Sequence, residues 1–344
     1  MTIPEETLTE LRAVRAAFDL MLAPSESERL IDAAIRLLPT PEAAADLELP
    51  ARSLAPIGAE VEATHGVRGR GRYAAALVAE LCLRRAPLLE RSTLPTSVLD
   101  LYPATFARVA AYLGSADLST YWIGDDPFLK DLRIAAGYTV PGGALDIDLV
   151  GRISKKSGPK TMVTSRTFRT GVKVMRMGGS GWFSIHLDQR YLEEFNAHGR
   201  DRCYLRIAEL LLRNPKVKGM VGTSWFYDPA LPAVSPRLAY LQQRPLDAGA
   251  FLVRHGRGAI HTERATLTSE TRRKLYEEGK YLPVCFSLVW PRDALIAWAE
   301  RAAERATVAS AASYGRFGPT CRGGNRSYDL AQVRQPCEMP YPHG

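Results

Sequence analysis

The sequence predicts an α/β fold: a mixed β-sheet flanked by helices, preceded by a helical N-terminal region. Three observations carry this. The first third repeats apolar residues at helical spacing. After about Ser115 short strand patterns alternate with helical ones, which argues for a sheet at the core. With 46% hydrophobic and 24% charged residues, 344 residues hold enough apolar material for a sizeable core.

Leu11, Val14, Phe18 and Met21 fall on one helical face, and Ile31, Ala34, Ile35 and Leu38 repeat the pattern after "PSESE". "RYAAALVAELCLRRAPLLE" and "PTSVLDLYPATFARVAAYLG" add two helices. Between these pairs, "LPTPEAAADLELPARSLAPIGAE" reads as a connector. "YWIGDDPFLKDLRIAAGYTVPGGALDIDLV" mixes a short helix, strand signals and a Pro-Gly-Gly turn. "SKKSGPKTMVTSRTFRTGVKVMRMGGSG" leans towards a hairpin or a loop. A strand over 181–188, a helix over 201–213 and a strand over 216–227 follow. Next come a helix near 234–244, a strand near 250–255, a helix near 268–279, a strand near 282–290 and a closing helix, "PRDALIAWAERAAERA". This divides the chain into a helical region 1–115, an α/β domain 116–305 and a flexible tail 306–344, whose Gly, Pro and Arg lack a period.

A formal net charge of +8 permits an anionic small molecule but does not require one. The five cysteines are widely spaced and odd in number, which argues against a disulfide framework or a zinc ribbon and for a reducing cytoplasm. No stretch approaches the roughly 18 apolar residues of a membrane span, and no apolar signal core opens the chain. The oligomeric state is not written in these patterns. A nucleophile elbow, a Walker loop and a dinucleotide fingerprint are absent.

The helix over 201–213 is the sharpest element. Tyr204, Ile207, Ala208, Leu211 and Leu212 line one face, and Asn214-Pro215 stops it. Its free N-terminal amides, with Gly199, Arg200 and Arg202 beside them, could cradle a phosphate, or Asp201 could simply cap it. In the strand before it, alternation puts Trp182, Ser184, His186 and Asp188 on one face. His186 and Asp188 could then hold a metal or move a proton. Arg166, Arg169, Lys173 and Arg176, with Phe168, form a basic stretch able to bind an acidic partner, but the mixed charges at 270–280 do not favour a nucleic-acid stripe.

The order strand, loop, helix start, helix, strand resembles the core of the GNAT-type N-acyltransferases. Asn196-Ala197-His198-Gly199-Arg200-Asp201 lies where that family carries its Q/R-x-x-G-x-G/A loop, with the central glycine kept and the flanking positions changed. The resemblance implies an acyl-CoA N-acyltransferase-like fold with acyl-CoA as cosubstrate. It implies a pyrophosphate held by Asn196, Gly199, Arg200 and Arg202, and an amine-bearing or other small-molecule acceptor. His186 or Asp188 would be the base and Tyr240 the acid that protonates the thiolate. A second resemblance, H-x-D…H…R, runs through His186, Asp188, His255 and Arg264. It implies a ferrous, 2-oxoglutarate-dependent oxygenase with His186, Asp188 and His255 as iron ligands.

Overall fold

The structure is a computed structural model that describes residues 2–40, 43–46, 48–115, 117–153 and 168–314. The chain divides into two compact units, Met1–Glu300 and Arg301–Gly344. Helices of eight or more residues are numbered α1 to α11.

The N-terminal apolar stripes fold as expected. Helix α1 (Glu5–Asp19) buries Leu11 and Phe18, and α2 (Pro24–Leu37) buries Leu30, Ile31 and Ala34. Helix α3 departs from the sequence pattern. It runs Ala55–Leu89 and so takes in the end of the connector and far more than "RYAAALVAELCLRRAPLLE". Gly66, at φ 68°, kinks it. The left-handed conformation there suits a residue without a side chain. The pattern at 95–114 breaks into one turn (Thr96–Leu99) and α4 (Tyr102–Ser115). Helix α5 (Asp126–Ala136) ends in a left-handed Gly137 and leads into the sheet.

Six strands form one mixed sheet, in the order β1-β2-β3-β4-β6-β5. They are β1 (Thr139–Pro141), β2 (Asp146–Ile153), β3 (Gly179–His186), β4 (Gly219–Ser224), β5 (Phe251–Gly256) and β6 (Cys285–Pro291). The Pro-Gly-Gly turn joins β1 to β2. Every neighbouring pair is antiparallel except β3 and β4. A parallel pair needs a crossover, and helix α7 (Ala197–Arg213) supplies it.

Helix α6 (Phe168–Met177) lies where a β-leaning segment was expected. "VKVMRM" alternates like a strand, but helical spacing sets Val174 and Met177 against Trp182, Val221, Val253 and Val289 in one apolar cluster. Packing overrides local alternation in so short a segment. The other sheet-side cluster is aromatic. Tyr204 of α7 meets Trp290 of β6 at 5.1 Å, and Trp290 meets Trp298 at 5.4 Å. Fully burying side chains of this kind stabilises by roughly 1.5–3 kcal/mol each. Helices α8 (Tyr240–Asp247), α9 (Ala259–Thr266) and α10 (Glu270–Glu277) connect the last strands, and α11 (Arg292–Tyr314) runs on into the second unit. The sequence pattern offered no helix at α9.

Side-chain hydrogen bonds to carbonyls tie the N-terminal region to the segments around the sheet. Tyr138 Oη donates to the Pro39 carbonyl at 2.6 Å, and Arg133 donates to the Ala44 carbonyl at 3.0 Å. Arg206 of α7 donates to the carbonyls of Ser97 and Gly142 at 3.0 and 2.8 Å. No described helix is long and apolar enough to cross a membrane.

Two glycines test this packing. A methyl group at Gly71 of α3 would meet the Leu118 carbonyl, whereas one at Gly114 of α4 would meet open space. Gly71→Ala should lower stability by about 1–3 kcal/mol, read as a fall of several degrees in Tm. Gly114→Ala should leave Tm unchanged or raise it, since alanine suits a helix better than glycine.

Candidate functional site

The parallel pair decides where the site lies. Its ladder holds Phe183 to Met220, Ser184 to Val221 and Ile185 to Gly222. Beyond that point β3 continues to His186 and β4 to Ser224 without pairing to each other. The β3–β4 ladder therefore stops short of the carboxyl ends of both strands. In open α/β sheets this is the edge at which ligands bind. The crossover brings the start of α7 to the same edge, and the registers Asp146 to His186 and Ser224 to Phe286 bring β2 and β6 to it.

His186 closes β3, its side chain 28% exposed. Its Nε2 stands 2.9 Å from Oδ2 of buried Asp148, and neither atom has another hydrogen-bond partner. Asp148 is itself held by Thr139 Oγ1 and by Arg133, whose Nε donates to Oδ1 at 3.2 Å. Burial would raise the Asp148 carboxyl, but His186, Arg133 and Thr139 outweigh it and hold the group below its usual range. The arrangement fixes one imidazole nitrogen against an ionised carboxylate and leaves the ring partly open to solvent. A histidine held this way is oriented for proton transfer.

The sequence had paired His186 with Asp188, on a strand reaching 188. The strand ends at His186, and Asp188 lies in the loop beyond it. There it accepts from the Arg190 backbone at 3.0 Å and from the Arg190 guanidinium at 2.7 and 3.1 Å. Arg190 also donates twice to buried Asp131 of α5, at 2.7 and 2.9 Å, and Asp131 accepts from Tyr121 Oη at 2.9 Å. Burial alone would raise the Asp188 carboxyl, yet Arg190 holds it low. Asp188 is thus spent on locking the loop that leads to α7.

Asp146, one turn of alternation before Asp148, faces His186 in register. It is half-buried, and its enclosed Oδ2 has no hydrogen-bond partner. Burial and the neighbouring Asp188 charge push its carboxyl up to about 7. Neither Asp146 nor Asp148 stood out in the sequence. The available signal was the D-x-D alternation in "GGALDIDLV" after the turn, which sets two carboxylates on one side of a strand.

At the start of α7 the helix opens at Ala197, four residues earlier than expected. Asn196, not Asp201, caps it, with Oδ1 accepting from the Gly199 amide at 2.9 Å. Asp201 pairs with Arg244 instead. The amides of Ala197 and His198 have no partner among the described residues. Gly199 is small because a side chain there would strike the Glu194 carbonyl. Arg200 turns inward: it is buried and donates to Tyr204 and, at 3.1 Å, to Tyr227, while its Nε has no hydrogen-bond partner. Arg202 faces solvent and pairs with Glu194 at 3.1 Å. Of the four residues expected to cradle a phosphate, none presents a free cationic group at the helix start. Tyr240 Oη donates to the Phe195 carbonyl at 3.3 Å, which brings it to the same loop, and burial raises its phenol. Burial pushes the Cys203 thiol up to about 12, so it serves packing.

The three iron ligands of the oxygenase resemblance are not brought together. His255 is on β5, three strand positions from β3, or about 14 Å at the usual strand spacing. It faces His261 at 6.4 Å. Among the described residues no group of three or more His, Cys, Asp or Glu could hold a metal. Of the basic stretch 155–176, residues 154–167 lie outside the described residues, Arg166 among them. Lys173 packs its ammonium over the Phe251 ring at 4.4 Å.

No family model, curated protein or solved structure matches the chain.

Arg190→Ala should cost about 3–5 kcal/mol, because it leaves Asp131 as a buried carboxylate without its cation. Denaturant unfolding at pH 7 reads the loss. The penalty should shrink as pH falls, because burial raises the Asp131 carboxyl even beside Arg190, so the unpaired Asp131 of the variant takes up a proton above the ordinary carboxylate range.

Proposed function

We propose that the protein transfers an acyl group from acyl-CoA or a similar carrier to an amine. One observation carries this reading: the ladder between two parallel strands joined by α7 ends beside a histidine held by a buried carboxylate. The end of the β3–β4 ladder is the place this reading gives to an extended thioester arm, because backbone groups beyond Ile185 and Gly222 have no partner across that pair. The start of α7 lies at the same edge. Its unpartnered amides at Ala197 and His198 and the positive end of its dipole suit the phosphates of the carrier. On this reading the phosphate would rest on backbone, because Arg200 and Arg202 are engaged elsewhere. The order of strands around the crossover agrees with the acyl-CoA N-acyltransferase-like fold implied by the resemblance.

In this reaction His186 is the base. Asp148 holds the ring in position and stabilises it once protonated. The amine nitrogen attacks the thioester carbonyl, the carbon–sulfur bond breaks, and Tyr240, kept protonated by burial, gives the departing thiolate its proton. Asp188 acts as a positioning group through Arg190 rather than as the base.

Thermal unfolding with and without acetyl-CoA and longer acyl-CoAs tests the carrier site. Ligand at a hundred times its Kd should add about 2.7 kcal/mol, a shift of several degrees. No shift with any acyl-CoA would overturn the reading. Where a shift appears, release of free thiol in the presence of amines should follow, and His186→Gln should slow it by about 10²–10⁴-fold with little change in the shift.

A further inference from the structure

Acyl transfer to an amine carries a proton count that one base does not meet. At neutral pH an alkyl amine arrives as an ammonium, R–NH3⁺. It must lose one proton before its lone pair can attack, and a second once the nitrogen has bonded to the carbonyl carbon. The balance is R–NH3⁺ + R′–CO–S–CoA → R′–CO–NH–R + HS–CoA + H⁺. One proton ends on the thiol and one leaves to water.

The edge where the β3–β4 ladder ends holds two proton acceptors of suitable character. His186 is one. The other is Asp146, opposite it in the β2–β3 register, with an enclosed oxygen that no protein group satisfies. The other carboxylates nearby are committed: Asp148 to Thr139, Arg133 and His186, and Asp188 and Asp131 to Arg190. The charged and titratable groups acting on Asp146 are Asp188 in the β3–α7 loop, Lys130 of α5, His186 of β3 and Arg108 of α4. Cys203 of α7 also feels its charge. Lys130 is paired with Asp126, and Arg108 stacks on Tyr191 at 4.3 Å. So no cation among them forms an ion pair with Asp146.

Resting on the acyltransferase reading, we infer that Asp146 is a second catalytic residue: its half-buried carboxylate, which no protein cation pairs, receives the acceptor's ammonium and takes the first proton, and His186 takes the second. The division also sets the acceptor class. An unpaired carboxylate in an enclosed site attracts a cation, so the preferred acceptor is an alkyl amine, charged at neutral pH, over an aryl amine, which is not. Raised by burial and by Asp188, the Asp146 carboxyl can both accept and release a proton near neutrality, which an ordinary aspartate cannot.

The test uses thiol release by the full chain with acetyl-CoA and two acceptors of similar size, an alkyl amine and an aniline, from pH 5 to 9. For the alkyl amine, log kcat/KM should rise with slope two at the acid end of this range, since two groups must be free of protons. Asp146→Asn should reduce the slope to one and lower kcat/KM for the alkyl amine by a hundredfold or more, while the rate with aniline falls less than tenfold. A slope of one in the unaltered protein, or an equal loss with both acceptors, overturns the role of Asp146 and leaves the acyltransferase reading standing. No thiol release from the unaltered protein with any amine overturns both. Unfolding of Asp146→Asn against pH separates a folding defect from a catalytic one. The folded-state carboxyl is raised, so it destabilises the unaltered protein above pH 7 and ceases to do so towards pH 4. The asparagine variant should therefore match or exceed the unaltered Tm at pH 8. A lower Tm throughout would overturn the assignment of Asp146 as an unpaired, proton-poised group.

Discussion

Two parallel strands cannot be joined by a tight turn, and much of this structure follows from that constraint. The connection from β3 to β4 must cross the sheet, so it contains α7 and starts from a loop at the carboxyl end of β3. That loop is where conformational freedom would be greatest and where the candidate chemistry lies. Arg190 removes the freedom by holding Asp188 in the loop and Asp131 in α5 at once. Asp131 in turn is fixed by Tyr121, whose ring packs against Phe128 at 5.2 Å. The N-terminal helices therefore do more than cover one side of the sheet. Through α5 they set the position of the segment that precedes α7.

The carboxylates at the site edge take different roles because their surroundings differ. Asp148 and Asp188 are both buried enough to be pushed towards the neutral form, and in each case cationic or hydrogen-bonding partners reverse the direction. Asp146 has no such partner and follows its burial. A carboxylate held ionised orients a neighbour, while one left near neutrality exchanges protons. The difference between Asp148 and Asp146 is set by the partners each one meets, not by residue type.

The start of α7 shows how a sequence pattern can be chemically sound and still be used otherwise. Gly199, Arg200 and Arg202 near a helix start have the composition of an anion site. In the fold Gly199 clears the Glu194 carbonyl, Arg200 is drawn between two tyrosines, and Arg202 turns to Glu194. What remains for an anion is the backbone. Side-chain direction depends on where the helix begins, and a start at Ala197 rather than at 201 rotates these residues by more than a full turn relative to the cap.

Read alone, the sequence determined the helical N-terminal third, the alternation of strands and helices after it, most of the buried face of α7 and its stop at Asn214-Pro215; Leu212, expected on that face, is exposed, and Leu210 is buried instead. These depend on periodicity and on proline and glycine, which act over a few residues. The kink-spanning length of α3, the helix at 168–177 and the helix at 259–266 depended on packing partners far along the chain, so local patterns misjudged them. His186 was legible as a candidate because a histidine on an alternating strand stands out. Its partner was not. Asp148 lies thirty-eight residues earlier and reaches His186 only because β2 and β3 pair in one register. A one-residue slip would carry the whole carboxylate set to the other side of the sheet. Strand register is a property of the assembled sheet, and for that reason the pairing of His186 with Asp148 was decided only in three dimensions.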